Sequence, residues 1–352
     1  MSQNNSENQM QTRTRKGAIV LNLGTPQAPQ TREVRAYLRE FLMDPFVIDV
    51  PGPLRWLIVH GAILPTRPAR SAEAYRKIWT DRGSPLLFHL LDLSEKVRNH
   101  LGSSWVVEPA MRYGQPSIES AFKRLQSEGV TDVTVFPLYP QYSLAATETS
   151  IQECRRIAQK VSGDFKLNFV GAFYRHPGFI SAYVESVKNS LADYPYDHIL
   201  FSFHGLPERH VKKTDLTGEH CLNQQECCSV MNEANQNCYR AQCYQTASAM
   251  AHSLGLKPDQ YTVCFQSRLG RNPWIRPYTD HFYESLPARG VKKIAVVCPA
   301  FVADCLETLE EIQIRGKEEF ILHGGEDLKL VPSLNSSDSW ARVVAGFFSG
   351  QS

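Results

Sequence analysis

One phrase occurs twice in this chain and constrains its fold more than any other feature. Ala18-Ile19-Val20-Leu21-Asn22-Leu23-Gly24-Thr25-Pro26 and Ile199-Leu200-Phe201-Ser202-Phe203-His204-Gly205-Leu206-Pro207 share an apolar run closed by Gly-x-Pro. Such a run reads as a buried strand, and Gly-x-Pro ends it at once. The residue before the Gly then stands at the strand mouth, where open α/β sheets hold ligands. It is Leu23 in the first copy and His204 in the second. Two versions of one loop, one apolar and one basic, predict a cleft with an apolar wall and a reactive wall.

Further landmarks repeat in the same order. Met111-Arg112-Tyr113-Gly114-Gln115-Pro116 is echoed by Ser267-Arg268-Leu269-Gly270-Arg271-Asn272-Pro273-Trp274, each opening a helical segment. Those segments end in Glu128-Gly129-Val130 and Arg289-Gly290-Val291. The strand-like Val133-Thr134-Val135-Phe136-Pro137 matches Ile294-Ala295-Val296-Val297-Cys298-Pro299. A helix carrying Glu-Thr follows each, at Glu148-Thr149 and Glu307-Thr308. Ordered repeats of this kind mean duplicated units. Strands alternating with helices argue a parallel sheet in each unit. The expected fold is α/β, two similar Rossmann-like domains with a cleft between them. The expected division is a disordered tail over residues 1–16, a first domain over 17–165 and a second over 166–352. The closing stretch from Ser339 to Phe348 reads as a helix packed across both.

A chain of 352 residues is longer than one core usually serves, which agrees with two units. With 42% hydrophobic and 21% charged residues the composition is that of a soluble globular protein. A net charge of +2 gives no ground for nucleic acid as the main partner. No apolar run reaches the length of a bilayer span. Residues 1–16 are polar and end in Arg13, Arg15 and Lys16, which is not the pattern of a secretory signal. The expected compartment is therefore the cytoplasm, where disulfides are rare. Leu54-Arg55-Trp56-Leu57-Ile58-Val59-His60-Gly61-Ala62-Ile63-Leu64 is apolar but interrupted. It reads as a core or lid helix, with a lip touching a membrane surface as the second reading.

The second copy carries the chemistry. A neutral imidazole near pH 7 can take up a proton and release it, which makes His204 a candidate base. The plain alternative is a hydrogen-bonded core histidine. In Asp304-Cys305-Leu306-Glu307-Thr308-Leu309-Glu310-Glu311, helical spacing puts Asp304, Glu307 and Glu311 on one face. Carboxylates at a helix start are favourable in themselves. This stripe, however, follows Pro299-Ala300-Phe301 at an expected strand mouth, so it also reads as a file of oxygen ligands for a divalent cation. Arg112, Tyr113, Tyr139, Tyr142, Arg268, Trp274 and Phe301 gather at the same strand ends. Arginine beside aromatic rings suits a flat apolar ligand that carries carboxylates.

Phe203-His204-Gly205-Leu206-Pro207, Gln266-Ser267-Arg268-Leu269-Gly270 with Pro273-Trp274, and Cys298-Pro299-Ala300-Phe301 through Glu311 closely resemble the ferrochelatases. The first half agrees through Leu21-Asn22-Leu23-Gly24-Thr25-Pro26, Tyr75 with Gly83-Ser84-Pro85, Met111-Arg112-Tyr113 and Tyr139-Pro140-Gln141-Tyr142-Ser143. The resemblance implies a two-domain Rossmann-like fold and insertion of ferrous iron, Fe2+, into protoporphyrin IX, the last step of heme synthesis. In that family the residue matching His204 is essential and is assigned pyrrole proton abstraction or metal handling. The residue matching Glu307 works opposite it, and those matching Asp304 and Glu311 continue the acidic path. Residues matching Leu23, Tyr75, Arg112, Tyr113, Arg268, Trp274 and Phe301 line the macrocycle pocket. Many relatives carry His where this chain has Cys305, so a role resting on that His has no bearer here.

Five of the nine cysteines crowd one polar segment: Cys221, Cys227, Cys228, Cys238 and Cys243. The segment reads as an insertion over residues 214–243, after the His204 loop. In a reducing compartment such a cluster points to metal rather than disulfides. Its gaps do not match zinc pairs and suit a four-thiolate iron–sulfur centre better, with zinc and no metal as the alternatives. The resemblance implies a 2Fe-2S cluster, because certain bacterial ferrochelatases place cysteines in such an insertion. Five thiols compete for four places. The adjacent Cys227 and Cys228 are expected to supply one, and Cys243 also reads as an ordinary helix residue.

Two rival functions remain open to the sequence. One is another tetrapyrrole chelatase, taking coproporphyrin or inserting cobalt, since metal preference depends on geometry and supply. The other is a non-catalytic two-lobed tetrapyrrole-binding protein.

Overall fold

The computed structural model describes residues 15–161, 164–224, 226–268, 270 and 272–350. Strands β1 (Lys16–Gly24), β2 (Trp105–Tyr113), β3 (Asp132–Pro137) and β4 (Lys166–Phe169) form one parallel sheet in the order β2-β1-β3-β4. Strands β5 (His198–His204), β6 (Tyr261–Gln266), β7 (Lys293–Val297) and β8 (Asp327–Leu330) form a second in the order β6-β5-β7-β8. The two orders are the same topology, so the duplication legible in the sequence is also a duplication of fold. Ala18 to Leu21 and Ile199 to Phe201 are wholly buried, as interior strands covered on both faces must be.

The two Gly-x-Pro loops are alike in detail. A Cβ on Gly24, at φ +139, would stand 2.2 Å from the Tyr113 carbonyl oxygen. One on Gly205 would stand 2.7 Å from the Gln266 carbonyl oxygen. In both copies the neighbouring strand's last carbonyl occupies the space of a side chain, which only Gly leaves free. The strand orders reverse direction at β1 and β5, and the ends of these two strands carry Leu23 and His204.

The sheets share one core. The helix Asp338–Ser349 buries Trp340 completely, within 6.3 Å of the Phe136, Phe173 and Phe179 rings. Full burial of a side chain of this size contributes about 3 kcal/mol. The expected helix at the chain's end is therefore present and packs across both units. The expected division after residue 165 needs correction, because β4 pairs with β3 and keeps the first unit going through Phe169. Lys16, expected in the tail, begins β1, and residues 1–14 lie outside the described residues.

Three short segments are wound more widely than an α-helix: Ile58–Ile63, Leu144–Glu148 and Leu306–Gly316. Backbone bonds spanning five residues mark them, such as Leu64 N to Val59 O and Glu148 N to Ser143 O. Such π turns concentrate at functional sites, and each of these three borders the same cavity.

Candidate active site

The carboxyl ends of β1 and β5 open on one cavity of about 1040 Å³, at the upper end of the range for small-molecule sites. Leu23 and His204 both line it, together with Tyr75, Arg268, Trp274, Phe301, Glu307 and Glu311. The His204 ring packs edge-on to Phe301 at 6.1 Å between centroids. Its Nδ1 lies against the Gly205 carbonyl oxygen at 2.5 Å. A carbonyl only accepts, so Nδ1 donates and the neutral ring keeps a lone pair on Nε2.

Glu307 and Glu311 ride on the wide helix Leu306–Gly316. Residues four apart fall nearly one turn apart there, so both carboxylates face the cavity. Ser267 donates to Glu311 twice, from its backbone N at 2.8 Å and its Oγ at 2.6 Å. Gln266 Nε2 donates to the Glu307 carbonyl oxygen at 2.7 Å. Burial pushes the Glu311 carboxyl above its ordinary value, with Ser267 opposing. The Glu307 charge pushes it further up, and His204 opposes. Imidazole and both carboxylates thus share one electrostatic neighbourhood.

A helix packed against the acidic one holds residues that the sequence reading missed. Helix Arg67–Ile78 brings Arg67 and Arg70 to the cavity beside Tyr75. Arg67 Nη1 is buried with no hydrogen-bond partner, and so is Asn22 Nδ2 at the end of β1. Two basic residues flanking Pro68 just after an apolar run were a signal for Arg67, but only the fold shows that its guanidinium is unspent.

Three expected pocket residues lie elsewhere. Arg112 and Tyr113 do not line the cavity; both bond the buried Asp44, Arg112 through Nη2 and Tyr113 through its hydroxyl at 2.8 Å. Thr149 Oγ1 donates to the same Asp44 oxygen. These two residues brace the wall from behind. Asp304 is not on the acidic face either, because the helix starts after it at the cap residue Cys305. Its carboxylate accepts from Asn335 Nδ2 at 2.8 Å, Thr308 Oγ1 at 3.1 Å and Ser333 N at 3.3 Å.

The ferrochelatase family profile matches residues 15–351. The ferrochelatase of Stutzerimonas stutzeri is 48% identical over 332 residues, which cover 94% of this chain and 96% of that protein. The ferrochelatase of Coxiella burnetii strain Dugway is 46% identical over 94% of this chain and 92% of its own length. The chain belongs to the ferrochelatase family. A solved structure of SirB from Bacillus subtilis with Fe3+ shares the fold at 11% identity, with a TM-score of 0.55 over 96% of this chain and 95% of SirB. Members of the ferrochelatase family are metal-insertion lyases, so an imidazole and two carboxylates at one cavity are the groups to weigh.

The cysteine-rich segment of this ferrochelatase lies between the helices Glu208–Lys212 and Tyr239–Leu254. All nine cysteines are free thiols. Cys227 and Cys228 have sulfurs 3.7 Å apart, and the electrostatics of Cys221 and Cys228 both respond to Cys238. The sulfurs also accept from Leu222 N, Ala241 N and the Arg240 guanidinium. Both adjacent cysteines lie in this group of thiols. Cys243 is buried inside the helix Tyr239–Leu254, within electrostatic reach of Cys228. Four thiols, three of them with N–H donors aimed at the sulfur, fit a thiolate-ligated cluster in donor chemistry. Among the described residues, no three His, Cys, Asp or Glu side chains form a ready metal-ligand set.

Proposed function

We propose that this ferrochelatase inserts Fe2+ into protoporphyrin IX at the β1–β5 cavity, with His204 and Glu307 carrying the step. The observation behind the assignment is that a ring with a free Nε2 and an acidic helix face line one cavity large enough for a flat ligand.

Iron enters as two pyrrole protons leave, so a base must stand near the ring centre. His204 Nε2 is that base, taking the protons one at a time and releasing the first to solvent before it accepts the second. Glu307 offers oxygen to the arriving Fe2+, and Glu311, held by Ser267, continues the path. Oxygen and imidazole hold ferrous iron loosely enough to release it to four ring nitrogens. Leu23, Tyr75, Trp274 and Phe301 supply apolar walls, and Arg67 and Arg268 are the cations for the propionates. Walls complementary to a bent ring favour the transition state over the flat substrate.

Cys221, Cys227, Cys228 and Cys238 are the residues that would hold a 2Fe-2S cluster. Such a group supplies a one-electron centre that fixes the segment. Free thiols at all nine positions suit a reducing cytoplasm. Leu54, Trp56 and Leu57, at 47%, 55% and 60% exposure, suit peripheral contact with a membrane surface, and no helix among the described residues is long and apolar enough to cross one.

Anaerobic incubation with Fe2+ and protoporphyrin tests the proposal through the absorption change from free porphyrin to heme. Porphyrin binding without that change would instead fit a binding protein.

A further inference from the structure

The exposed lip and the His204 loop belong to opposite walls, yet one carboxylate joins them. Asp49 precedes the lip helix Gly52–Leu57. Its side chain is 11% exposed. Oδ1 accepts from Arg209 Nε at 2.7 Å, Oδ2 accepts from Lys213 Nζ at 2.5 Å, and His210 Nε2 lies 3.5 Å away. All three partners are on or beside the helix Glu208–Lys212, which follows His204-Gly205-Leu206-Pro207 directly.

The contact continues on both sides. In the lip helix, Arg55 Nη1 donates to the carbonyl oxygens of Ile48 and Val50, the two neighbours of Asp49, at 3.1 and 3.3 Å. Beyond the helix, Glu208 N donates to Pro273 O and Ile275 N to Leu206 O, so the loop carrying Trp274 is stitched to the His204 loop. Ile48, Val50, Leu206, Pro207, Arg209 and His210 all line the cavity. One continuous set of polar bonds therefore runs from the lip, through Asp49, to the two loops bearing His204 and Trp274.

We propose that Asp49 is a positioning residue that locks the lip to the His204 loop, so that seating of the lip sets the width of the cavity mouth. It touches no reacting atom. Two cations and an imidazole meet at one partly buried carboxylate, and removing that charge leaves them facing one another unpaired. The mouth then loosens while the chemistry at His204 stays intact. This rests on the cavity being the porphyrin site.

The test measures steady-state insertion and amide hydrogen exchange for the wild type, Asp49→Asn, Asp49→Glu and Arg209→Gln/Lys213→Gln, with His204→Ala as reference. For Asp49→Asn and the double variant, porphyrin KM should rise roughly tenfold, with kcat changed by less than about twofold. Exchange should quicken together in residues 48–57 and 204–213, and Asp49→Glu should restore most of both. Wild-type KM in a folded Asp49→Asn protein, or faster exchange on one side only, would overturn the lock. The double variant keeps the test open if Asp49→Asn does not fold. Full activity in His204→Ala would instead show that the cavity assignment has failed.

Discussion

The side-chain amide of Gln266 donates to the carbonyl oxygen of Glu307 at 2.7 Å, from the end of β6 to the first turn of the acidic helix. The Oε1 of the same amide accepts from Ser202 Oγ at 2.7 Å and Cys298 Sγ at 3.6 Å. One buried amide thus fixes three strand ends against the peptide that carries the cavity-facing Glu307 carboxylate. Gln266→Leu removes the donor to the Glu307 carbonyl and one of the two partners of the Ser202 hydroxyl, which keeps Thr279 at 2.8 Å. Unfolding free energy should fall by about 1–3 kcal/mol, and kcat should fall as well, because Glu307 loses its brace. Urea denaturation with single-turnover insertion checks this, and unchanged kcat would remove Gln266 from the site.

Arg67 offers a buried Nη1 with no hydrogen-bond partner at the cavity, on a helix that packs against the one carrying Glu307. If a ligand carboxylate pairs with it, losing Arg67 weakens binding of the acid but not of its ester. Arg67→Met should raise the protoporphyrin Kd roughly tenfold or more while leaving the affinity for a porphyrin diester near its wild-type level. Fluorescence titration with both ligands separates lost pairing from lost packing.

The repeated strand phrase made Leu23 and His204 legible, because strands buried on both faces read as unbroken apolar runs that end abruptly. Arg112 and Tyr113 were misplaced because an end residue in a strand can point into a cleft or behind it, and composition does not say which. Asp304 was misplaced because α-helical spacing was applied to a segment that starts two residues later, at Leu306, and is wound more widely. Neither Arg67 nor Gln266 has a spacing to read. Their importance comes from what the fold leaves unpaired or brings within hydrogen-bond reach.

Cys228 has its sulfur 3.7 Å from that of Cys227, whereas Cys243 is a buried residue of the helix Tyr239–Leu254. In protein purified without air, Cys228→Ser should lose bound iron, acid-labile sulfide and visible absorption together. Cys243→Ser should keep all three. Loss in the Cys243 variant would mean that the cluster draws on that thiol instead.

Asp215 anchors the same segment by accepting from Thr217 N, Thr217 Oγ1, His220 N and Cys221 N. Burial alone would raise its carboxyl, but those hydrogen bonds outweigh it and hold it below the ordinary 3.8. A carboxyl depressed in the folded state supports the fold above its unfolded value and loses that support as pH falls below it. Amide protection over residues 215–228 should therefore be flat near neutrality and decline below 3.8, whereas Asp215→Asn should lack it throughout. A wild-type protection profile in that variant would contradict the anchoring.

The central assignment is that His204 takes a pyrrole proton while Glu307 receives the iron. Anaerobic single-turnover insertion by His204→Ala and by Glu307→Gln, run beside a protoporphyrin titration of each, tests it most directly. Both variants should bind protoporphyrin within about threefold of wild type and form heme at least about a thousandfold more slowly. Near-normal heme formation by either one would contradict the assignment.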